Sequence, residues 1–207
     1  MKSQTIIFFG RSGAGKGTQA RLLREYIEKT DTDSKPVLYI ETGERFRDFI
    51  KNDTNYTAGL TADVMNKGGL MPEFMPIWVW TSYLIEHYTG SEHMILDGLS
   101  RRHDEAPILD SALRFYRREN RKVVFVNTSR DWSVQRLMGR GREDDTEADI
   151  QKRLDWFDEN TMPAINYFKG HVNYDFFEVD GEQPIEKVHA DLLSRLFSPH
   201  TEILEND

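Results

Sequence analysis

Short runs of consecutive apolar residues punctuate the chain at 5–9 (TIIFF), 37–40 (VLYI), 94–96 (MIL), 123–126 (VVFV) and 175–179 (DFFEV). Runs this short and this apolar predict strands covered on both faces, as in a parallel sheet. Between them, apolar residues recur at helical spacing. Residues 16–29 set Leu22, Leu23, Tyr26 and Ile27 on one face, and residues 104–119 and 131–140 follow the third and fourth runs. Residues 146–169 carry Ile150, Leu154, Phe157, Ile165 and Phe168; residues 184–197 open on Pro184 and align Ile185, Val188, Leu192 and Leu196. Thr146 and Asp149 have the offset of a capping box, and Pro163 predicts a bend or break in that helix. Five strands alternating with helices predict a doubly wound α/β domain with a five-stranded parallel sheet. Residues 42–72 break the rhythm and read as helix, turn, helix, punctuated by Gly59, Gly68 and Gly69: a small insert able to move against the sheet. Residues 30–36 read as a polar surface loop. Trp78 and Trp80 read as core, and His87, His93 and His103 as ordinary polar positions without metal-ligand spacing.

Composition narrows the function classes. A chain of 207 residues accommodates one domain with a small inserted module. The absence of cysteine excludes a disulfide scaffold, a Cys-based zinc site and thiol catalysis. A net charge of −8 has the wrong sign for sequence-blind binding to nucleic acid, so no nucleic-acid partner is expected. No apolar run approaches the roughly 20 residues of a membrane span, and the first run lacks a cleavage site. A cytoplasmic protein without a membrane partner is therefore expected.

Residues 10–18 (GRSGAGKGT) stand directly after a predicted strand and before a predicted helix. That is the context of a P-loop, in which glycine backbone N–H groups curl around a polyphosphate and Lys16 reaches its terminal groups. The helix that follows adds its positive dipole end. One position departs from the general motif. Gly17 stands where many P-loop proteins place a Ser or Thr on Mg²⁺, and Thr18 comes one residue late.

Arginines gather at predicted loop mouths: Arg47 in the insert, Arg101 after the third strand, Arg136 and Arg140 four apart on one helix, then Arg142 and Arg153. Any one of them reads equally as a solvated surface charge. As a set they suit phosphate oxygens and the charge of a transferring phosphoryl group. Asp97 ends the third run, where a Walker-B-type acid binds Mg²⁺ directly or through water; capping the next loop is its other reading.

GRSGAGKGTQ (10–19), ETGERFR (41–47), LDGLSR (96–101), QRLMGRGREDD (135–145) and KRL (152–154) occur in the order seen in adenylate kinases. The resemblance runs from residue 5 to about residue 188 and implies a P-loop NTPase-type fold. It implies a core over 1–41 and 73–200, a nucleoside-monophosphate-binding insert over 42–72, and a minimal loop at 139–145 in place of the lid. It implies that Gly13, Ala14, Gly15, Lys16, Gly17 and Thr18 hold the ATP phosphates, that Arg136 lies against the donor adenine, that Arg140 contacts donor phosphates, and that Gln183 meets the donor base. On the acceptor side it implies Thr42, Arg47, Gly69, Leu70, Met71, Gly98, Arg101 and the position of Glu105. Lys16, Arg101, Arg140, Arg142 and Arg153 form the implied catalytic set, with Arg142 and Arg153 closing on the transferred group. Mg²⁺ is the implied cofactor, with Asp97 holding it through water. Small nucleotides are the implied partners of a monomer.

The chain departs from the family in several places. Only Gly141 separates Arg140 from Arg142, where the family has a lid, and the zinc-bearing lid is excluded for want of cysteine. Ser12 and Ser100 replace family prolines, which predicts slightly looser loops. Glu105 replaces the Gln that pairs with the acceptor adenine. Gln both donates and accepts, whereas an ionised Glu only accepts, which suits the adjacent donors of guanine. The expected reaction is reversible, Mg²⁺-dependent transfer of the ATP γ-phosphoryl group to AMP. The alternatives are a kinase for GMP or a broader range of monophosphates, a kinase of another small metabolite, and a nucleotide-binding protein without useful turnover.

Overall fold

The computed structural model describes residues 1–140 and 146–197. Five parallel strands, β1 (Thr5–Phe9), β2 (Val37–Glu41), β3 (His93–Asp97), β4 (Arg121–Asn127) and β5 (Asp175–Asp180), form one sheet in the order β2-β3-β1-β4-β5. β1 is central and wholly buried. Its alternate side chains feed two cores, as the pleat requires. Ile6 and Phe8 join Ile95, Val124 and Val179 beneath α1 (Lys16–Thr30) and α9 (Ile185–Phe197). Ile7 and Phe9 join Leu96, Val123 and Phe125 on the opposite face. There they meet Trp80 and Leu84 of α4 (Phe74–His87), Leu109 and Leu113 of α5 (Glu105–Phe115), and Ile165 and Phe168 of α8 (Met162–Lys169). Each such buried side chain contributes roughly 1.5–3 kcal/mol over its exposed state. The apolar runs lie within the five strands because both sheet faces are covered.

Two further helices, α2 (Thr42–Asn52) and α3 (Tyr56–Asn66), leave the end of β2 and pack over α4 through Phe46, Met71, Met75 and Val79. Gly59 lies inside α3 and does not interrupt it, whereas Gly68 follows the helix with a left-handed φ of 60°. Helix α6 (Arg130–Arg140) follows β4 and packs against α7 (Glu147–Trp156) through Leu137, Ile150 and Leu154. Thr146 caps α7 by accepting from the Asp149 N–H at 3.2 Å, as the capping-box offset predicts. α7 continues into α8 through a single π-helical turn, Phe157–Thr161. Pro163 has no N–H to give, and the wider turn just before it re-registers the helix instead of breaking it.

Three local expectations differ from the structure. α5 ends at Phe115, not near 119, because Arg117 turns left-handed at φ 53° and the Arg118 N–H returns to the Leu113 carbonyl at 2.8 Å. The stretch 30–36 is not wholly surface: Asp31 is buried and binds the terminal amine and His93, itself buried, at 3.3 Å. Trp80 is core, but Trp78 remains 46% exposed.

Candidate functional site

The loop after β1 is shaped by what surrounds it. Gly10 has a φ of 152°, and a Cβ there would lie 2.5 Å from the Val126 carbonyl at the end of β4. Gly13, at φ 84°, would bring a Cβ within 2.8 Å of the Ser133 carbonyl and 3.1 Å of Leu137 Cγ. The loop is thus seated on β4 and α6, and only glycine fits those two points. α1 begins without a side-chain cap, so its first turn presents backbone N–H groups at the loop. Lys16 Nζ donates to the Arg11 carbonyl at 3.0 Å across that loop. Enclosure pushes the Lys16 ammonium down to about 8; Asp97 and Glu41 oppose that shift, while Arg101 and Arg140 add to it.

Beside the loop, the ends of β2 and β3 set two carboxylates in register, Glu41 opposite Asp97. The Tyr39 hydroxyl donates to Asp97 Oδ2 at 3.3 Å and stands 3.5 Å from Glu41 Oε2. Burial raises the Asp97 carboxyl, Lys16 pulls it back, and Glu41 adds to the rise. The same burial and carboxylates raise the Tyr39 phenol far above its ordinary value, which keeps it a hydrogen donor. A Cβ at Gly17 would lie 3.3 Å from Asp97 Oδ2, so glycine leaves a gap opposite that oxygen.

The loop after β3 turns through Ser100 at φ 58°, a left-handed conformation closed to proline. Ser100 therefore does more than loosen the loop; it permits a bend that proline cannot adopt. That bend returns Arg101, whose Nε donates to the Gly98 carbonyl at 3.0 Å. Its backbone N–H donates to Glu105 Oε2 at 3.2 Å, and its carbonyl accepts from Thr161 Oγ1 at 3.0 Å. Glu105 is 2% exposed. Burial pushes its carboxyl up to about 7 against the pull of Arg101, its backbone N–H and Arg102, with Glu73 adding to the rise. Arg102 Nη2 donates to the Met71 carbonyl at 3.3 Å and its Nη1 pairs with Glu73 at 3.2 Å, tying the 69–71 stretch to this loop. Arg47 Nη2 donates to Glu41 Oε1 at 3.1 Å, and the buried Thr42 hydroxyl has no partner among the described residues.

On the other side, α6 carries Arg136 and Arg140, α7 carries Arg153, and the loop after β5 carries Gln183, whose amide donates to Asp180 Oδ2 at 3.0 Å. Arg153 Nε donates to the Asp149 carbonyl at 3.2 Å.

One cleft of about 720 Å³ opens at the carboxyl ends of the strands. Gly13 to Thr18, Thr42, Arg47, Gly69, Leu70, Met71, Asp97, Gly98, Arg101, Glu105, Arg136, Arg140, Arg153 and Gln183 all meet there. Arg142 and residues 141–145 of the expected minimal loop lie outside the described residues. Sequence reasoning missed Glu41, Trp132 and Trp156, which line the same cleft, and Tyr39, which braces its acids. Glu41 was legible as the acid before Thr42; Trp132 was legible four residues before Arg136, had α6 been placed against the loop.

A P-loop at the centre of a parallel sheet, with cationic side chains from several elements over one cleft, defines a P-loop phosphotransferase of nucleotides. The adenylate kinase family model matches residues 8–173. The chain is 31% identical to adenylate kinase 1 of Nostoc sp. over 194 residues, which span 93% of this chain and 98% of that protein. It is 32% identical to an adenylate kinase of Flavobacterium johnsoniae over 197 residues, spanning 91% and 96%. An adenylate kinase of Prochlorococcus marinus is 30% identical over 192 residues, spanning 92% and 97%. The chain belongs to the adenylate kinase family.

Proposed function

We propose that this protein transfers the γ-phosphoryl group of ATP reversibly to AMP, giving two ADP. The observation that carries the reading is that one cleft gathers Lys16, Arg47, Arg101, Arg136, Arg140 and Arg153 around a phosphate loop. A phosphate monoester has a second pKa near 6, so its attacking oxygen is mostly ionised at neutral pH and needs no general base. The acceptor oxygen forms a bond to the γ-phosphorus, and the bond from that phosphorus to the oxygen bridging it to the β-phosphate breaks. The barrier to overcome is repulsion between two anions and their alignment. Arg47 and Arg101 hold the acceptor phosphate, Lys16 and the loop N–H groups hold the donor, and Arg140, Arg142 and Arg153 offset the charge on the moving group. Thr42, Gly98 and the 69–71 backbone enclose the acceptor, while Arg136 and Gln183 lie at the donor base.

The residues at this corner of the cleft would suit Mg²⁺. Asp97 and Glu41 offer hard oxygen donors at adjacent strand ends, and the gap left by Gly17 faces Asp97 Oδ2. When bound, the ion neutralises and orients the donor phosphates. Asp97 would hold it through water. Movement of residues 42–72 excludes water from the cleft. The enzyme works as a cytoplasmic monomer.

One observation favours GMP as a second acceptor: the buried carboxyl of Glu105 in the acceptor half of the cleft. The test offers AMP, GMP, CMP, UMP and the deoxy monophosphates singly with ATP and Mg²⁺, with Lys16→Ala as control. ADP formed fastest with AMP and absent in the variant is the expected result. No turnover with any monophosphate overturns the reading.

A further inference from the structure

Trp132 is half-buried at the rim of the nucleotide cleft. Its placement follows from the packing of α6. Ser133, the next residue, presses its carbonyl against Gly13 of the phosphate loop, and the Leu137 side chain packs there one turn on. Trp132 is thereby fixed beside the loop. Arg136, four residues later on the same helical face, places its guanidinium carbon 5.2 Å from the indole centroid. Among the described residues the indole has no aromatic neighbour, although most other rings near the cores are paired. Close by, Gly181 packs on Thr128 at the foot of α6, and a Cβ at Gly181 would lie 2.8 Å from Thr128 Cγ2. That brings the loop bearing Gln183 alongside the same helix.

We propose that Trp132, backed by Arg136, is a stacking platform for the base of the phosphoryl donor, so that the donor subsite takes a nucleoside triphosphate by its aromatic face with little regard to which base it is. The inference rests on the reading of the cleft as a nucleotide site given above and deepens it. A nucleobase is flat and aromatic, and stacking on an indole or a guanidinium plane works for every base. Hydrogen bonds to a base edge would discriminate; a ring face does not.

The test is equilibrium binding of ATP, GTP and inorganic tripolyphosphate to the full chain without acceptor, read by intrinsic fluorescence and by calorimetry. Trp132→Phe keeps a ring, and Trp132→Ala removes it. Fluorescence of Trp132→Phe subtracted from the wild type isolates Trp132 from Trp156, which also lines the cleft. The expected result is a wild-type preference between ATP and GTP of only a few fold, and a quench by both that disappears in Trp132→Phe. Trp132→Ala weakens both nucleotides by roughly 5- to 150-fold while tripolyphosphate binds unchanged. Trp132→Phe retains most of the affinity. An unchanged ATP affinity in Trp132→Ala overturns the inference, as does an equal loss for tripolyphosphate, which would mean the loop itself had shifted. A wild type that separates ATP from GTP by 100-fold or more, on the order of two tenfold steps, overturns the base-blind part. A wild type that binds tripolyphosphate but neither nucleotide takes down the nucleotide reading together with the inference.

Discussion

Arg11 Nη2 lies 2.7 Å from Asp158 Oδ1, joining the phosphate loop to the π-helical turn that continues α7. Arg130 Nη1 takes the other oxygen of Asp158 at 2.8 Å, and the Arg11 guanidinium sits over Phe157 at 4.8 Å. Its Nη1 also donates to the Thr128 carbonyl at 2.8 Å. The loop that carries Lys16 and the helix that carries Arg153 are therefore fastened to one another. Arg11→Ala and Asp158→Asn should each lower stability by about 1–2 kcal/mol, the double variant losing less than the sum. Both should lower kcat more than they raise either KM. Thermal melts and steady-state kinetics on the double-mutant cycle check this.

Thr42 lines the cleft with a buried hydroxyl that has no partner among the described residues, on the side proposed above for the acceptor. Thr42→Val removes that group at constant shape, so folding should be unchanged or improved by up to about 1 kcal/mol. The KM for the acceptor should rise about fivefold while that for ATP stays put. Parallel melts and two-substrate kinetics separate the two effects.

Glu105 titrates at about 7 because burial disfavours its charge. Below that pH the neutral carboxyl both donates and accepts, as adenine requires; above it the carboxylate only accepts, as guanine prefers. The groups facing it, Arg101, Arg102 and Glu73, hold it near that value. Between pH 6 and 8.5 the ratio of kcat/KM for AMP to that for GMP should fall by about fivefold or more. Glu105→Gln should flatten that ratio in favour of AMP at every pH.

Gly13 has a left-handed φ of 84° and the Ser133 carbonyl where a Cβ would go. Gly13→Ala should displace the loop from α6 and weaken tripolyphosphate and ATP alike, by roughly tenfold or more. Calorimetric titration with both ligands checks it. The equal loss distinguishes this loop effect from that of Trp132→Ala.

The strands were legible because both faces of the sheet are covered, which writes each one as an unbroken apolar run. The phosphate loop was legible because its glycines and lysine are contiguous. What could not be read depends on parts far apart in sequence. Arg11 and Asp158 are 147 residues apart, and Glu41 meets Asp97 only through the register of β2 with β3. Trp132 by itself carried no signal in the sequence, because its place beside the phosphate loop depends on Ser133 and Leu137 packing against Gly13. Asp31 looked like a loop acid because its partners, the terminal amine and His93, come from two other segments. The bend at Ser100 was hidden because a serine announces no backbone conformation, unlike a proline.

The central claim is that donor and acceptor subsites in this one cleft both take adenine nucleotides. ³¹P NMR of the protein with ADP and Mg²⁺ alone tests it most directly, because disproportionation requires ADP in both subsites at once. ATP and AMP should appear in equal amounts until equilibrium, and Lys16→Ala should leave ADP untouched. ADP that stays unchanged with the wild-type protein would contradict it.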